Sequence, residues 1–175
     1  MFFLKGKFYK FFLLMVFLCL SQFSFAQQDL IEEIVVTGSY IKTSSKNDTS
    51  PVDIILRDEI DGIGAFLASD IIKNLSINSG SENNTDAFTS GSTQGTSNIN
   101  LRGLGLSSTL VLIDGRRQTV TGATANDGSV FVNTSTIPLI AIQRVEVLKE
   151  GAASIYGSDA VAGVVNYIFR RDFKG

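Results

Sequence analysis

The sequence predicts an α+β domain, a small β-sheet carrying short helices and joined by long polar loops. Three observations predict it. The runs Thr109-Leu110-Val111-Leu112-Ile113 and Val164-Val165-Asn166-Tyr167-Ile168-Phe169 are β-branched and apolar enough for buried strands. Ile63, Leu67, Ile71 and Leu75 recur every fourth residue, the period of an amphipathic helix. Residues 76–97 are dominated by Ser, Asn, Thr and Gly, with no apolar periodicity.

The first 26 residues stand apart from the fold. Lys5, Lys7 and Lys10 form a positive region, Phe11 to Leu20 an apolar core, and Ser24-Phe25-Ala26 a small-x-small cleavage site. This is the pattern of a secretory signal peptide, too short to span a bilayer, with Gln27 the expected mature N-terminus. Without those 26 residues, 149 remain, enough for one domain with its own core. The leader removes three lysines and no acid, so 12 basic residues face 17 acidic ones and the net charge is near −5. Such a balance, with no basic patch, argues against a nucleic-acid partner. Cys19, the only cysteine, leaves with the leader, so no disulfide supports the exported chain.

Residues 27–50 open with a short β-prone segment, Glu33-Ile34-Val35-Val36-Thr37-Gly38, followed by a polar stretch rich in Ser, Thr, Lys and Asn. A β-prone peptide on a flexible tether suits pairing with another protein's sheet edge; it suits equally the first strand of the domain itself. Residues 51–175 are the expected folded domain. Pro51-Val52-Asp53-Ile54-Ile55-Leu56-Arg57 reads as its first strand, and Asp58 and Asp61 as candidate N-caps of a helix of roughly three turns. Phe66 and Ile72 widen that helix's apolar stripe, which is expected to pack into the core, while Gly62 and Gly64 weaken its first turn.

About 20 residues without periodicity, as in 76–97, are long for a compact domain. Within them Asp86, Phe88, Thr89 and Gln94 are candidate substrate-facing groups, alongside the reading of a solvated loop with no ligand. Leu101-Arg102-Gly103 then leads to the buried-type strand and the Asp114-Gly115 turn. Gly103-Leu104-Gly105 is not a dinucleotide site, because Ser108 stands where a third glycine belongs and a strand follows instead of a helix. Residues 122–135 form a second polar loop, and 137–142 hold one helical turn. From Arg144 the chain alternates charged and apolar residues into a small-residue corner, Tyr156-Gly157, and the last strand. Gly151, Gly157 and Gly163 give backbone freedom or close approach there.

The stretch from Ile142 to Asn166 resembles the closing segment of the plug domain of TonB-dependent outer-membrane receptors. That family carries a strand ending in glutamate, valine and leucine, a small-residue turn, a Tyr-Gly and a Gly-Val-Val/Ile-Asn strand. Leu101-Arg102-Gly103 and Ile113-Asp114-Gly115 resemble two further plug segments, in the family's order, and Glu33 to Gly38 resembles its TonB box. The resemblance implies a small mixed sheet with short helices lodged inside an outer-membrane β-barrel. It also implies a TonB-type periplasmic protein that grips Glu33, Ile34, Val35, Val36, Thr37 and Gly38 by strand addition, and uptake of a scarce solute. That solute is open among siderophore, cobalamin, oligosaccharide and peptide.

No histidine occurs anywhere, which excludes Ser-His-Asp and Cys-His catalysis and nitrogen- or sulfur-ligated zinc and haem. No enzyme, cofactor or metal site is expected. Glu146 and Glu150 lie beside Arg144 and Lys149, where charge pairing between strands outweighs a catalytic role. Arg102, Arg116, Arg117, Arg144, Glu146 and Glu150 are the candidate contacts to an enclosing barrel, the guanidinium forks suiting carboxylates. A barrel of 22 strands needs roughly 220 residues in strands alone. The sequence stops where one would begin, so the alternatives are a receptor fragment, the product of a truncated gene, and a stand-alone periplasmic binding or signalling module.

Overall fold

The computed structural model describes residues 34–35, 37, 43–44, 52–82 and 93–171. The leader, Glu33, Val36, Gly38, Asp86, Phe88 and Thr89 lie outside the described residues.

A mixed sheet of five strands forms the centre. Its strands are β3 (Val52–Leu56), β4 (Thr109–Ile113), β5 (Arg116–Arg117), β6 (Ile142–Leu148) and β7 (Gly163–Phe169), in the spatial order β3-β6-β7-β4-β5. Neighbours run antiparallel except β4 and β7, which are parallel. A separate two-stranded ribbon pairs β1 (Ile34–Val35) with β2 (Thr43–Ser44). The predicted first and last strands and the corner between β6 and β7 are where the sequence places them.

Strand alternation sends successive side chains to opposite faces of the sheet. On one face Ile55, Val111, Val145, Val147, Val165 and Tyr167 meet Ile60, Ala68, Ile71, Ile72, Ile99, Leu101 and Ile137 in one core cluster. Each fully buried aliphatic side chain there contributes about 1.5–3 kcal/mol. On the other face Leu110, Leu112, Leu148 and Val164 pack against Ala152 and Ala160 of the corner. The corner is built from small residues because space is scarce. A Cβ on Gly151 would stand 2.9 Å from the carbonyl oxygen of Val161.

The single three-turn helix is not observed. Two short helices replace it, α1 (Arg57–Ile63) and α2 (Ala68–Lys73). Gly64 takes a left-handed conformation, φ 68°, and ends α1. The apolar stripe is split with it. Ile71 and Ile72 are buried, whereas Ile63, Leu67 and Phe66 are exposed, Phe66 by 89%. Asp58 and Asp61 do not cap. Glu59 accepts from the amide of Leu56 at 3.3 Å, and Asp70 accepts from those of Leu67 and Phe66 at 2.9 and 3.2 Å. Asp61 instead pairs with Arg57, whose hydrogen bond holds its carboxyl below the usual carboxylate range. Lys73 and the two amides do the same for Asp70. A short helix (Ala153–Tyr156), α3, lies within the corner, and the helical turn expected near 137–142 is a 3-10 turn (Leu139–Ala141).

Candidate functional site

On the second face a polar row crosses the sheet between its apolar residues. Pairing places Ile54 opposite Glu146, Glu146 opposite Asn166, and Asn166 opposite Leu112. Glu146 and Asn166, 0% and 1% exposed, are thus side by side in the sheet's interior strands. A charge in such a place is costly unless paired and hydrogen-bonded. Arg144, two residues along β6 and on the same face, gives Nε and Nη2 to Glu146 Oε1, both at 2.9 Å. The other carboxylate oxygen, Oε2, accepts the hydroxyl of Thr37, a residue 109 positions earlier in the chain. Asn166 Nδ2 donates to the same hydroxyl oxygen at 2.9 Å. Thr37, itself fully buried, is the point at which the N-terminal segment is anchored to the sheet.

The far side of Asn166 is occupied as well. Its Oδ1 accepts from the amide of Gly115 at 3.0 Å. Asp114 and Gly115 both have positive φ, 48° and 76°, and close the two-residue hairpin between β4 and β5. The Asp114 amide donates to the carbonyl of Tyr167 at 3.0 Å, and its Oδ1 accepts from the amide of Phe169 at 3.1 Å.

The remaining candidate arginines lie on the surface. Arg102, at φ 59°, reaches back to the carbonyls of Val161 and Ala162 at 2.9–3.2 Å. Arg117 binds Asp159 at 2.7 Å and the carbonyl of Tyr156 at the end of α3. The corner is therefore gripped from two sides by guanidinium groups. Arg116 and Glu150 are exposed. Glu146 differs from the expected outward contact: it is sealed inside the domain and its carboxylate is taken by Arg144 and Thr37. The cross-strand ion pair at this edge joins Lys149 to Asp53 rather than to a glutamate.

Of the substrate-facing candidates, Gln94 is described and is exposed. The two polar loops come together beside it. Ser97 Oγ lies 2.7 Å from Thr134 Oγ1 and 2.9 Å from Ser135 Oγ, and the Ser97 amide donates to Asn133 Oδ1 at 3.1 Å. Glu82 accepts from the amide of Asn126 at 3.2 Å. A cavity of about 210 Å³ nearby is lined by Gln118, Thr119, Thr121, Val132, Asn133, Thr136 and Ile137. Among the described residues no cluster of His, Cys, Asp and Glu could hold a metal ion.

Sequence reasoning gave Asn166 no role. Its signal was a lone amide in an otherwise apolar run, a residue that a buried strand carries only if its hydrogen bonds are met.

Residues 44–164 match the family model described as the TonB-dependent receptor plug domain. A ferric enterobactin receptor variant from Pseudomonas aeruginosa is similar at 27% identity and TM-score 0.53, over 72% of this chain and 18% of that one. The siderophore receptor PirA from Acinetobacter baumannii is similar at 27% identity and TM-score 0.51, over 74% of this chain and 18% of that one. The unliganded ferric citrate transporter FecA, at 23% identity and TM-score 0.55 over 72% of this chain, shares the fold. The chain thus spans about a fifth of the length of these receptors. These neighbours are receptors and transporters, not enzymes, and the family match covers β3 to β6, the three helices and the corner, ending at the second residue of β7. The chain belongs to the TonB-dependent receptor plug domain family.

Proposed function

We propose that the chain is the plug of an outer-membrane receptor and gates energy-coupled uptake of a solute through a surrounding β-barrel. In this reading residues 1–26 export the chain. Glu33 to Gly38 are the segment that a periplasmic TonB-type protein grips by strand addition, and residues 51–175 form the plug. Arg116, exposed at the sheet edge, is a contact for carboxylates of the barrel wall, and Arg102 and Arg117, which already bind the corner, offer their remaining N–H donors to the same wall. The two joined polar loops, with Gln94, face the solute. The neighbour from Pseudomonas aeruginosa is named for ferric enterobactin, which makes a ferric chelate the first solute to try.

The observation that carries the coupling role is the anchoring of Thr37. Among the described residues the segment is held to the sheet by the side-chain hydrogen bonds of Thr37, while Ile34 and Val35 pair with the short strand β2. A two-stranded ribbon of this length is marginal alone, so it is open to exchange for a longer partner strand. Val35→Pro removes a ladder donor and tests this. In calorimetric titration with the periplasmic coupling protein of the same cell, the variant is expected to lose binding while its thermal unfolding stays unchanged. Undiminished binding by the variant would remove residues 33–38 from the coupling role.

A further inference from the structure

We propose that Asn166 couples the Asp114–Gly115 turn to the docking of the N-terminal segment, so that moving one loosens the other. The hydrogen-bond inventory leaves one arrangement. The amide of Gly115 can only donate, so the oxygen of the Asn166 side chain must face it, at 3.0 Å. The –NH2 end then points to Thr37, at 2.9 Å. The single proton of the Thr37 hydroxyl is left for Glu146, whose second oxygen is held by Arg144 at 2.9 Å. Every donor in the chain Gly115, Asn166, Thr37 points toward one carboxylate, the order in which successive bonds polarise and strengthen one another.

Thr37, Glu146 and Asn166 are at most 1% exposed, so while the segment is docked these bonds meet no competition from solvent. The Gly115 end differs: Asp114, Gly115, Arg116 and Arg117 are all exposed, and β5 has only two residues. The turn is therefore the part of this network that a barrel strand, a loop or a ligand can touch. Asp114 fastens the turn to Tyr167 and Phe169, the residues just beyond Asn166 on β7. A shift of the turn withdraws the Gly115 amide, frees the Asn166 side chain to rotate, and weakens its grip on Thr37. Coupling between two sites is reciprocal, so release of Thr37 must loosen the turn.

That reciprocity is the test, read by native-state amide hydrogen exchange on the chain with no partner present. Thr37→Val keeps the shape and removes the hydroxyl, while Thr37→Ser keeps the hydroxyl as control. Thr37→Val is expected to speed exchange at Ile34 and Val35 and also at Gly115, about tenfold for a lost hydrogen bond, with Thr37→Ser near wild type. In the opposite direction, Gly115→Val acts through backbone conformation alone, since open space surrounds the added Cβ and only φ 76° opposes it. It is expected to speed exchange at Ile34 and Val35. Faster exchange of the segment with an unchanged Gly115 in Thr37→Val overturns the coupling, and so does no change at either place. Thr37 lies outside the five strands and that variant alters no residue of them, so the proposal stands or falls even where Gly115→Val does not fold. The regulatory meaning rests on the proposed role of residues 33–38. Failure of a coupling protein to bind would overturn that role and leave the exchange result standing.

Discussion

Gly163 lies so close to Leu148 that a Cβ on it would come within 2.4 Å of the Leu148 carbonyl oxygen and 2.8 Å of Leu101 Cδ1. Its φ of 146° is also one that L side chains rarely adopt. Both penalties fall at the entry to the central strand β7. Gly163→Ala is expected to destabilise the domain by about 3 kcal/mol, the upper range for overpacking with backbone shift. The midpoint of urea unfolding, with unchanged slope, measures it.

Glu146 is the charge around which the polar row closes. Glu146→Ala removes the acceptor of both Arg144 and Thr37 in a fully buried place. A loss of about 3–5 kcal/mol is expected, as for breaking other buried pairs. Glu146→Gln keeps the size and an acceptor and is expected to cost less. Chemical denaturation of the two variants side by side checks the order, and equal losses would show that the charge rather than the shape is what the site needs.

Tyr167 is wholly buried, and its hydroxyl makes no hydrogen bond among the described residues. Removing an unsatisfied polar group from a core is favourable, so Tyr167→Phe is expected to stabilise by about 1 kcal/mol. Burial also pushes the phenol far above its ordinary value of 10.0. With the folded pKa raised, the unfolded chain loses this proton first. Stability is full below pH 10 and declines as pH rises beyond it. The variant is expected to flatten that alkaline decline, seen in thermal melts between neutral pH and strongly alkaline buffer.

Asp70 closes the start of α2 by accepting from Leu67 and Phe66 and by pairing with Lys73. Asp70→Ala is expected to cost about 1 kcal/mol, as for other lost N-caps. Its carboxyl is held below the ordinary value, so its contribution is present above pH 3.8 and fades as pH falls further. Melting the wild type and the variant across acid pH should show their difference shrinking in that window.

The strands, the hairpin turn and the corner were legible because each has a local cause. β-branched runs make β4 and β7, Asp114-Gly115 makes a turn with two positive φ angles, and small residues make the crowded corner. The helix was half legible. The fourfold spacing of Ile63, Leu67, Ile71 and Leu75 predicted one helix, yet Gly64 ended it and turned Ile63 and Phe66 to solvent. Helix spacing says which residues can share a face, not whether the backbone between them continues. The polar row was not legible at all. Thr37 lies 109 and 129 residues from Glu146 and Asn166, and only the fold places the three together.

That sheet order also dictates when the domain can assemble. Among the described residues β7, with β6 and β4 at its sides, is the last strand of the sheet, and β3, the first of the five, pairs with β6 alone, some 90 residues later. Until residues 142–169 are available, β3 has no neighbour and β4 has only the two residues of β5. Nearly all its pairings are distant in sequence, and such topologies form slowly. The five-stranded sheet cannot be completed before β6 and β7 are present, so its closing step belongs to the last strands of the domain.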